Sequence, residues 1–213
     1  MKLVQAVALL RQIPRREASK LIDDEMVKVN GQPATSYSLE IDEERDSIEI
    51  GNRKYNIKVK KNKLFAYYKP KGIISTLAEG KNTLLPVVQK MGTPNLKPIG
   101  RLDAESEGLL LLTNDGDFIN SILHPSKHVP KIYKVIASGF KDPEQKRALA
   151  ALVKLRNFSV DRERVTFEVE LEEGKNRQVR RACSAAGMHA EKLVRISIGA
   201  VQLGDLKPGS WIE

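Results

Sequence analysis

The stretch Ile99-Gly100-Arg101-Leu102-Asp103-Ala104-Glu105-Ser106-Glu107-Gly108-Leu109-Leu110-Leu111-Leu112-Thr113-Asn114-Asp115-Gly116-Asp117 decides how the chain folds. Four consecutive leucines closed by Thr113 make a short, continuous apolar run. Such a run reads as a central strand buried on both faces, because a half-buried strand alternates. Asn114-Asp115-Gly116-Asp117 turns this strand into a helix around Phe118 to Leu123, with an aspartate available as its cap. Ahead of the strand, residues 100 to 108 form a loop that carries Asp103. Read alone, Asp103 is a turn residue or local cap more often than a catalyst.

Working outward, Leu64-Phe65-Ala66-Tyr67-Tyr68 reads as a strand entering the turn Lys69-Pro70-Lys71-Gly72. Tyr133 to Ala137 and Arg164 to Leu171 alternate like strands, with a helical stretch near Pro143 to Val153 between them. In Glu173-Gly174-Lys175-Asn176-Arg177-Gln178-Val179-Arg180-Arg181-Ala182-Cys183, the residues Val179, Ala182, Cys183 and Ala186 share a helical face, and Gly187 suits the C-terminal cap. Arg177 and Arg181 fall on successive turns by spacing, close to a helix N-terminus that attracts anions; an exposed basic helix is an equally good reading. The region is α+β, with a mixed, mainly antiparallel sheet flanked by helices.

Toward the N-terminus, Leu3, Val7 and Leu10 fall on one helical face, and Pro14 is placed to open a second helix with Ala18, Leu21 and Ile22. Val27-Lys28-Val29 runs into the turn Asn30-Gly31, and Ser47-Ile48-Glu49-Ile50 ends at Gly51-Asn52. Two short helices and a small set of strands therefore precede the basic connector Lys58 to Lys63. The expected division is residues 1–58 and residues 62–213.

Composition narrows the function. Of 213 residues, 36 are Lys or Arg and 27 are Asp or Glu, a net charge of +9 that suits a polyanionic partner. The excess is uneven: residues 1–60 hold 11 basic and 10 acidic side chains, and residues 61–213 hold 25 and 17. In the first part, the basic residues Arg15, Arg16 and Lys20 sit on one short helix, while acidic ones cluster from Glu40 to Glu49. The single cysteine, Cys183, rules out an intrachain disulfide and a cysteine-rich zinc site. His124 and His128 are spaced like a metal pair, but Pro125 and Pro130 make that segment a surface loop. The apolar N-terminal run is short and closed by Arg11, Arg15 and Arg16, so it reads as an amphipathic helix and not a signal peptide. No stretch has the roughly 20 apolar residues of a membrane span, and a cytoplasmic protein is expected.

Two resemblances sharpen this. Arg15-Arg16-Glu17-Ala18, Leu21-Ile22 and Val27-Lys28-Val29-Asn30-Gly31 are similar to the small S-four-type RNA-binding domain, with Pro14 where a serine cap is usual. That likeness implies RNA contacts from Arg15, Arg16 and Lys20. Gly100-Arg101-Leu102-Asp103 with the leucine run, Lys175-Asn176-Arg177-Gln178-Val179-Arg180-Arg181, the strand Lys131-Ile132-Tyr133-Lys134-Val135, and Leu193-Val194-Arg195 through Gly199 resemble, in order, the RsuA/RluB family of ribosomal RNA pseudouridine synthases. Ser106 stands where threonine is more usual, and Met188 separates Gly187 from His189.

The resemblance implies a cofactor-independent, metal-free isomerisation of uridine in ribosomal RNA or a pre-ribosomal particle by a monomer. It implies Asp103 as nucleophile, Arg180 as its ion-pair partner, Tyr133 as an active-site aromatic, and Arg101 as filler of the vacated base position or holder of a flanking phosphate. Lys175, Asn176, Arg177 and Arg181 join the RNA-binding set. The segments Phe65 to Pro70 and Gly209-Ser210-Trp211 resemble the large-subunit branch of the family; small-subunit ribosomal RNA or tRNA is the alternative substrate. A non-catalytic RNA-binding or ribosome-assembly protein is the competing reading, and the hint of metal chemistry in Asp115 and Asp117 is better explained as a helix cap.

Overall fold

The computed structural model describes residues 1–42, 45–56 and 62–213, which fall into two units, Met1–Lys61 and Asn62–Glu213. In the first unit, α1 (Leu3–Arg11) buries Leu3, Ala6 and Val7 on one face. It stops where Gln12 takes a left-handed backbone and its N–H turns back to the carbonyls of Ala8 and Leu9. α2 (Arg15–Asp23) follows with Pro14 as its N-cap; it buries Ala18 and Ile22 and leaves Arg15, Arg16 and Lys20 exposed. β1 (Val27–Val29), β2 (Gln32–Pro33), β3 (Ser47–Ile50) and β4 (Arg53–Asn56) form an antiparallel sheet in the order β2-β1-β3-β4. Asn30 and Gly31 both have positive φ, the turn chemistry that matches strand twist in a tight hairpin. Of the connector Lys58 to Lys63, only Asn62 and Lys63 lie within the described residues, and Glu43 and Glu44 of the acidic cluster lie outside them.

The second unit runs β5 (Leu64–Lys69), α3 (Leu85–Lys90), β6 (Lys97–Pro98), β7 (Glu107–Thr113), α4 (Gly116–Leu123), β8 (Lys131–Ser138) and α5 (Pro143–Leu152). It continues with β9 (Lys154–Asp161), β10 (Arg164–Leu171), α6 (Gln178–Ala185), β11 (His189–Ile198), β12 (Val201–Gln202) and β13 (Trp211–Ile212). The sheet order is β13-β5-β7-β11-β8-β10-β9, with β6 on β7 and β12 on β11. Only β7 and β11 pair in parallel among the described strands, so the fold is α+β with a mixed, mainly antiparallel sheet.

The leucine run behaves as its continuity demands. Leu110 and Leu112 enter one core with Phe65, Tyr67, Leu84 and Leu96, whereas Leu109 and Leu111 enter another with Ala66, Ile99 and Ile198. Asp115 caps α4, its side chain accepting from the N–H groups of Asp117 and Phe118. Asp142 and Gln145 form a capping box that starts α5.

Two local readings change. β9 was not legible, because it is an edge strand whose positions are mostly exposed and show no apolar alternation. Arg177 is not on a turn of α6; it is the N-cap, in left-handed conformation at φ 48°.

One row of residues crosses four neighbouring strands. Lys69 of β5 pairs with Gly108 of β7, Gly108 with Arg195 of β11, and Arg195 with Tyr133 of β8. Residues opposite one another in a sheet share a face, so Lys69, Arg195 and Tyr133 project to the same side. Gly108 supplies no side chain and must not: at φ +107°, a Cβ there would lie 2.3 Å from the Arg195 carbonyl oxygen and 2.6 Å from its nitrogen. Gly108→Ala is expected to destabilise the fold by about 3 kcal/mol or more, combining overpacking with a strained φ. A urea-unfolding midpoint close to that of the unaltered protein contradicts this close approach.

Candidate active site

Asp103 is half-buried on the loop that enters β7, and that loop is held mainly through its backbone. The buried Ser75 hydroxyl donates to the Leu102 carbonyl at 2.8 Å and accepts from the Leu102 N–H at 3.0 Å. Gly72 N–H donates to the Ala104 carbonyl, and Ser106 N–H closes a turn onto the Asp103 carbonyl. Leu102 anchors the loop by its side chain, in the same core as Tyr133 and Val179. The carboxylate of Asp103 is thereby left at the site surface with its backbone fixed on either side.

Arg195 is the group that joins this loop to Tyr133. Its side chain is buried; Nε donates to the Leu109 carbonyl at 2.7 Å, and Nη1 lies 3.4 Å from both the Arg101 carbonyl and the Tyr133 hydroxyl. Its guanidinium also sits 5.9 Å from the centre of the Tyr133 ring.

Lys69, fully buried, donates to the carbonyls of Pro70 at 3.0 Å and Ile73 at 2.7 Å. Burial lowers its pKa from the ordinary 10.5 to about 8, against the charges of Asp103 and Glu107, which favour the ammonium. Glu107 accepts from the Tyr68 hydroxyl at 3.2 Å and faces Lys192 at 3.3 Å. Burial, together with Glu107, pushes Tyr68 up to about 12.

Arg180 does not make the ion pair with Asp103 that the resemblance implied. Its Nη1 donates to the Ala190 carbonyl at 2.8 Å, its Nη2 to the Glu105 carbonyl at 3.1 Å, and its Nε lies 3.9 Å from the Glu105 carboxylate. Helix α6 thus aims this side chain at the Glu105 end of the loop, two residues past Asp103. Arg177 Nη2 is 3.1 Å from the same carboxylate, and this hydrogen bond, with the charges of Arg177 and Arg180, holds Glu105 below the usual carboxylate range.

Lys71, Glu105, Arg177, Arg180, Arg181 and His189 line an open cleft of about 430 Å³ that runs from the loop along α6. Lys175 instead pairs with Glu173 at 3.3 Å, and Asn176 is exposed. Arg101 offers its carbonyl to Arg195 while the residue as a whole stays exposed. Arg15, Arg16 and Lys20 form an exposed basic face of α2 in the first unit. Sequence reading missed Ser75, Lys69, Glu105 and Arg195 as site components. Arg195 lay inside a quoted segment, but nothing local marks it as buried.

Cys183 is no competing nucleophile: its thiol is buried, which pushes it up to about 11 despite the opposing charge of Arg180. Among the described residues, no three His, Cys, Asp or Glu side chains come together as a metal set. No described helix is long and apolar enough to cross a membrane.

The chain is similar to known proteins in sequence and fold. Residues 63–185 match the RNA pseudouridylate synthase family, and residues 1–46 match the S4 domain. The chain is 35% identical over 212 residues to an uncharacterized RNA pseudouridine synthase of Rickettsia typhi, covering 93% of this chain and 85% of that protein. It is 36% identical over 210 residues to another of Mycobacterium tuberculosis, covering 92% and 82%. A crystal structure of a pseudouridylate synthase superposes with a TM-score of 0.62 at 26% identity, covering all of this chain and 95% of the other. The chain belongs to the RNA pseudouridylate synthase family. It is an RNA-binding isomerase with the RsuA/RluB-type architecture, an S4 domain ahead of the synthase domain.

Two outcomes test the site's construction. Ser75→Ala removes both bonds to Leu102 and is expected to cost about 1–3 kcal/mol in chemical unfolding; a loss near zero contradicts the clamp. Folding lowers the pKa of Lys69, so between pH 8 and 10.5 the unfolded chain holds more protons, and this residue's contribution to stability rises with pH across that window. The difference in unfolding free energy between the unaltered protein and Lys69→Met should show that upward slope. A flat difference contradicts the buried ammonium.

Proposed function

We propose that this isomerase converts one specific uridine of ribosomal RNA, in the large subunit, to pseudouridine in the cytoplasm, acting as a monomer with Asp103 as its nucleophile. The observation that carries the reading is the half-exposed Asp103 carboxylate on a loop clamped by Ser75 and joined through Arg195 to Tyr133. In the reaction the uracil N1–C1′ bond breaks and a C5–C1′ bond forms; the C5 proton leaves and N1 takes up a proton. A carboxylate able to bond covalently and depart again serves the first step without redox change. A phenol beside the base serves stacking and proton transfer at C5. Asp103 has no ion pair among the described residues, so the cations that act on it do so from beside it: Lys69 through the site interior, and Arg180 by holding the Glu105 end of the loop.

The target uridine leaves its stack to reach this site, at a cost of a few kcal/mol that pocket stacking and phosphate contacts offset. Arg101 fills the vacated position or holds a flanking phosphate. Lys71, Arg177 and Arg181 of the cleft then follow the strand, with Lys175 and Asn176 at its margin. Arg15, Arg16 and Lys20 contact folded RNA through the S4 domain. The large-subunit preference rests on Phe65 to Pro70 and Gly209-Ser210-Trp211, two segments that pair as neighbours, with Trp211 opposite Tyr67.

With RNA containing 5-tritiated uridine, Asp103→Asn should release no tritium while binding RNA almost as tightly as the unaltered protein; turnover near the unaltered rate sinks the assignment. Arg177→Ala and Arg181→Ala should each weaken RNA binding and flatten the log K against log[salt] plot by about one unit. An unchanged slope removes those residues from the RNA path. Carbodiimide-dependent primer-extension stops in RNA from a strain lacking the gene identify the uridine; loss of a small-subunit or tRNA stop in place of a large-subunit one overturns the substrate assignment.

A further inference from the structure

Arg195 is a charged side chain at 3% exposure, with no carboxylate in hydrogen-bonding or ion-pair contact among the described residues. Arginines are almost never buried so completely unless paired. Its donors instead go to neutral oxygens drawn from three parts of the site: the Leu109 carbonyl at the start of β7, the Arg101 carbonyl of the nucleophile loop, and the Tyr133 hydroxyl of β8. Nη2 is buried with no hydrogen-bond partner. Such an uncompensated group persists in a folded protein when it performs a task that an apolar residue could not.

We propose that Arg195 is a positioning residue for the isomerisation, holding the Tyr133 hydroxyl and the backbone of the Asp103 loop in a single arrangement. The guanidinium is a planar fork, which lets one side chain span acceptors that a single ammonium cannot. Nε is fixed by the short bond to Leu109, and that fixes the plane in which Nη1 divides between the loop carbonyl and the phenol. A donor facing the Tyr133 oxygen occupies one of its lone pairs and leaves the hydroxyl hydrogen to point elsewhere. The ring is held as well, by the guanidinium beside its face. Gly108 sets the backbone height of Arg195, so the fork reaches these acceptors only because β7 and β11 nearly touch there.

This role rests on Asp103 and Tyr133 being the reacting groups, and the test separates the two claims. Single-turnover tritium release is measured for Arg195→Gln, Arg195→Lys, Tyr133→Phe and the Arg195→Gln/Tyr133→Phe double variant, with thermal unfolding of each. Arg195→Gln is expected to lower kcat about 10²-fold with little change in KM. The double variant should be slower than Tyr133→Phe by far less than that factor, because the two changes disable one device. An equal loss in both backgrounds marks a general packing defect and overturns the proposal. Where Arg195→Gln does not fold, Arg195→Lys decides: it keeps the charge and loses the fork, so a reduced kcat with a nearly unchanged unfolding midpoint supports the role. Full activity of Arg195→Lys overturns it. Full activity of Tyr133→Phe and Asp103→Asn instead refutes the underlying reading of the site.

Discussion

At Gly108 the backbone of β7 lies against that of β11 at Arg195, closer than any residue with a Cβ permits. This is where the sheet's parallel pair meets, with β5 on one side and β8 on the other. Because a glycine stands there, Lys69 and Arg195 project to one face without an intervening side chain, and Tyr133 joins them from the next strand. The loop that carries Asp103 ends at this point, so its geometry is inherited from the sheet. A loop that borrows rigidity in this way loses little entropy when substrate arrives and holds its carboxylate ready, which is the requirement for near-attack geometry.

The second consequence is electrostatic. Two buried cations, Lys69 and Arg195, lie beside a loop that carries Asp103 and Glu105 and beside Glu107, which opens β7. Neither cation forms a direct pair with Asp103. Lys69 donates to two backbone carbonyls, and Arg195 to two carbonyls and the Tyr133 hydroxyl with Nη2 left unpartnered, so neither side chain takes up the Asp103 carboxylate. Glu105 engages the exposed Arg177, a pair that salt weakens and a phosphate can replace at small cost, and it also lies near the largely buried Arg180. In the proposed function the interior serves the chemistry and the exterior meets the polyanion, a division matched by the excess of basic residues in the second unit.

Much of this was legible in the sequence, for physical reasons. Leu109 to Leu112 read best as a strand buried on both faces, and Asp115 was the natural cap for the helix that follows. Tyr133 and the apolar face of α6 followed from periodicities of two and 3.6. What escaped depends on register. Charged residues are expected outside, and only the cross-strand alignment of Lys69, Gly108, Arg195 and Tyr133 makes two of them interior. The resemblance assigned Arg180 to Asp103, yet the start of α6 directs it to Glu105, a difference of one loop turn that no sequence pattern encodes. β9 escaped because an exposed edge strand has no apolar period to read.

The central claim is that the flipped uridine is processed at Asp103, on the face shared by Arg195 and Tyr133, and not in the neighbouring basic cleft. A crystal structure with RNA carrying 5-fluorouridine at the mapped position tests it most directly, because fluorine in place of the departing C5 hydrogen blocks completion of the reaction. The account predicts the flipped nucleotide within about 3.5 Å of an Asp103 carboxylate oxygen, or bonded to it, with its base against Tyr133. A nucleotide seated instead among Lys71, Arg177 and Arg181, with Asp103 out of reach, contradicts it.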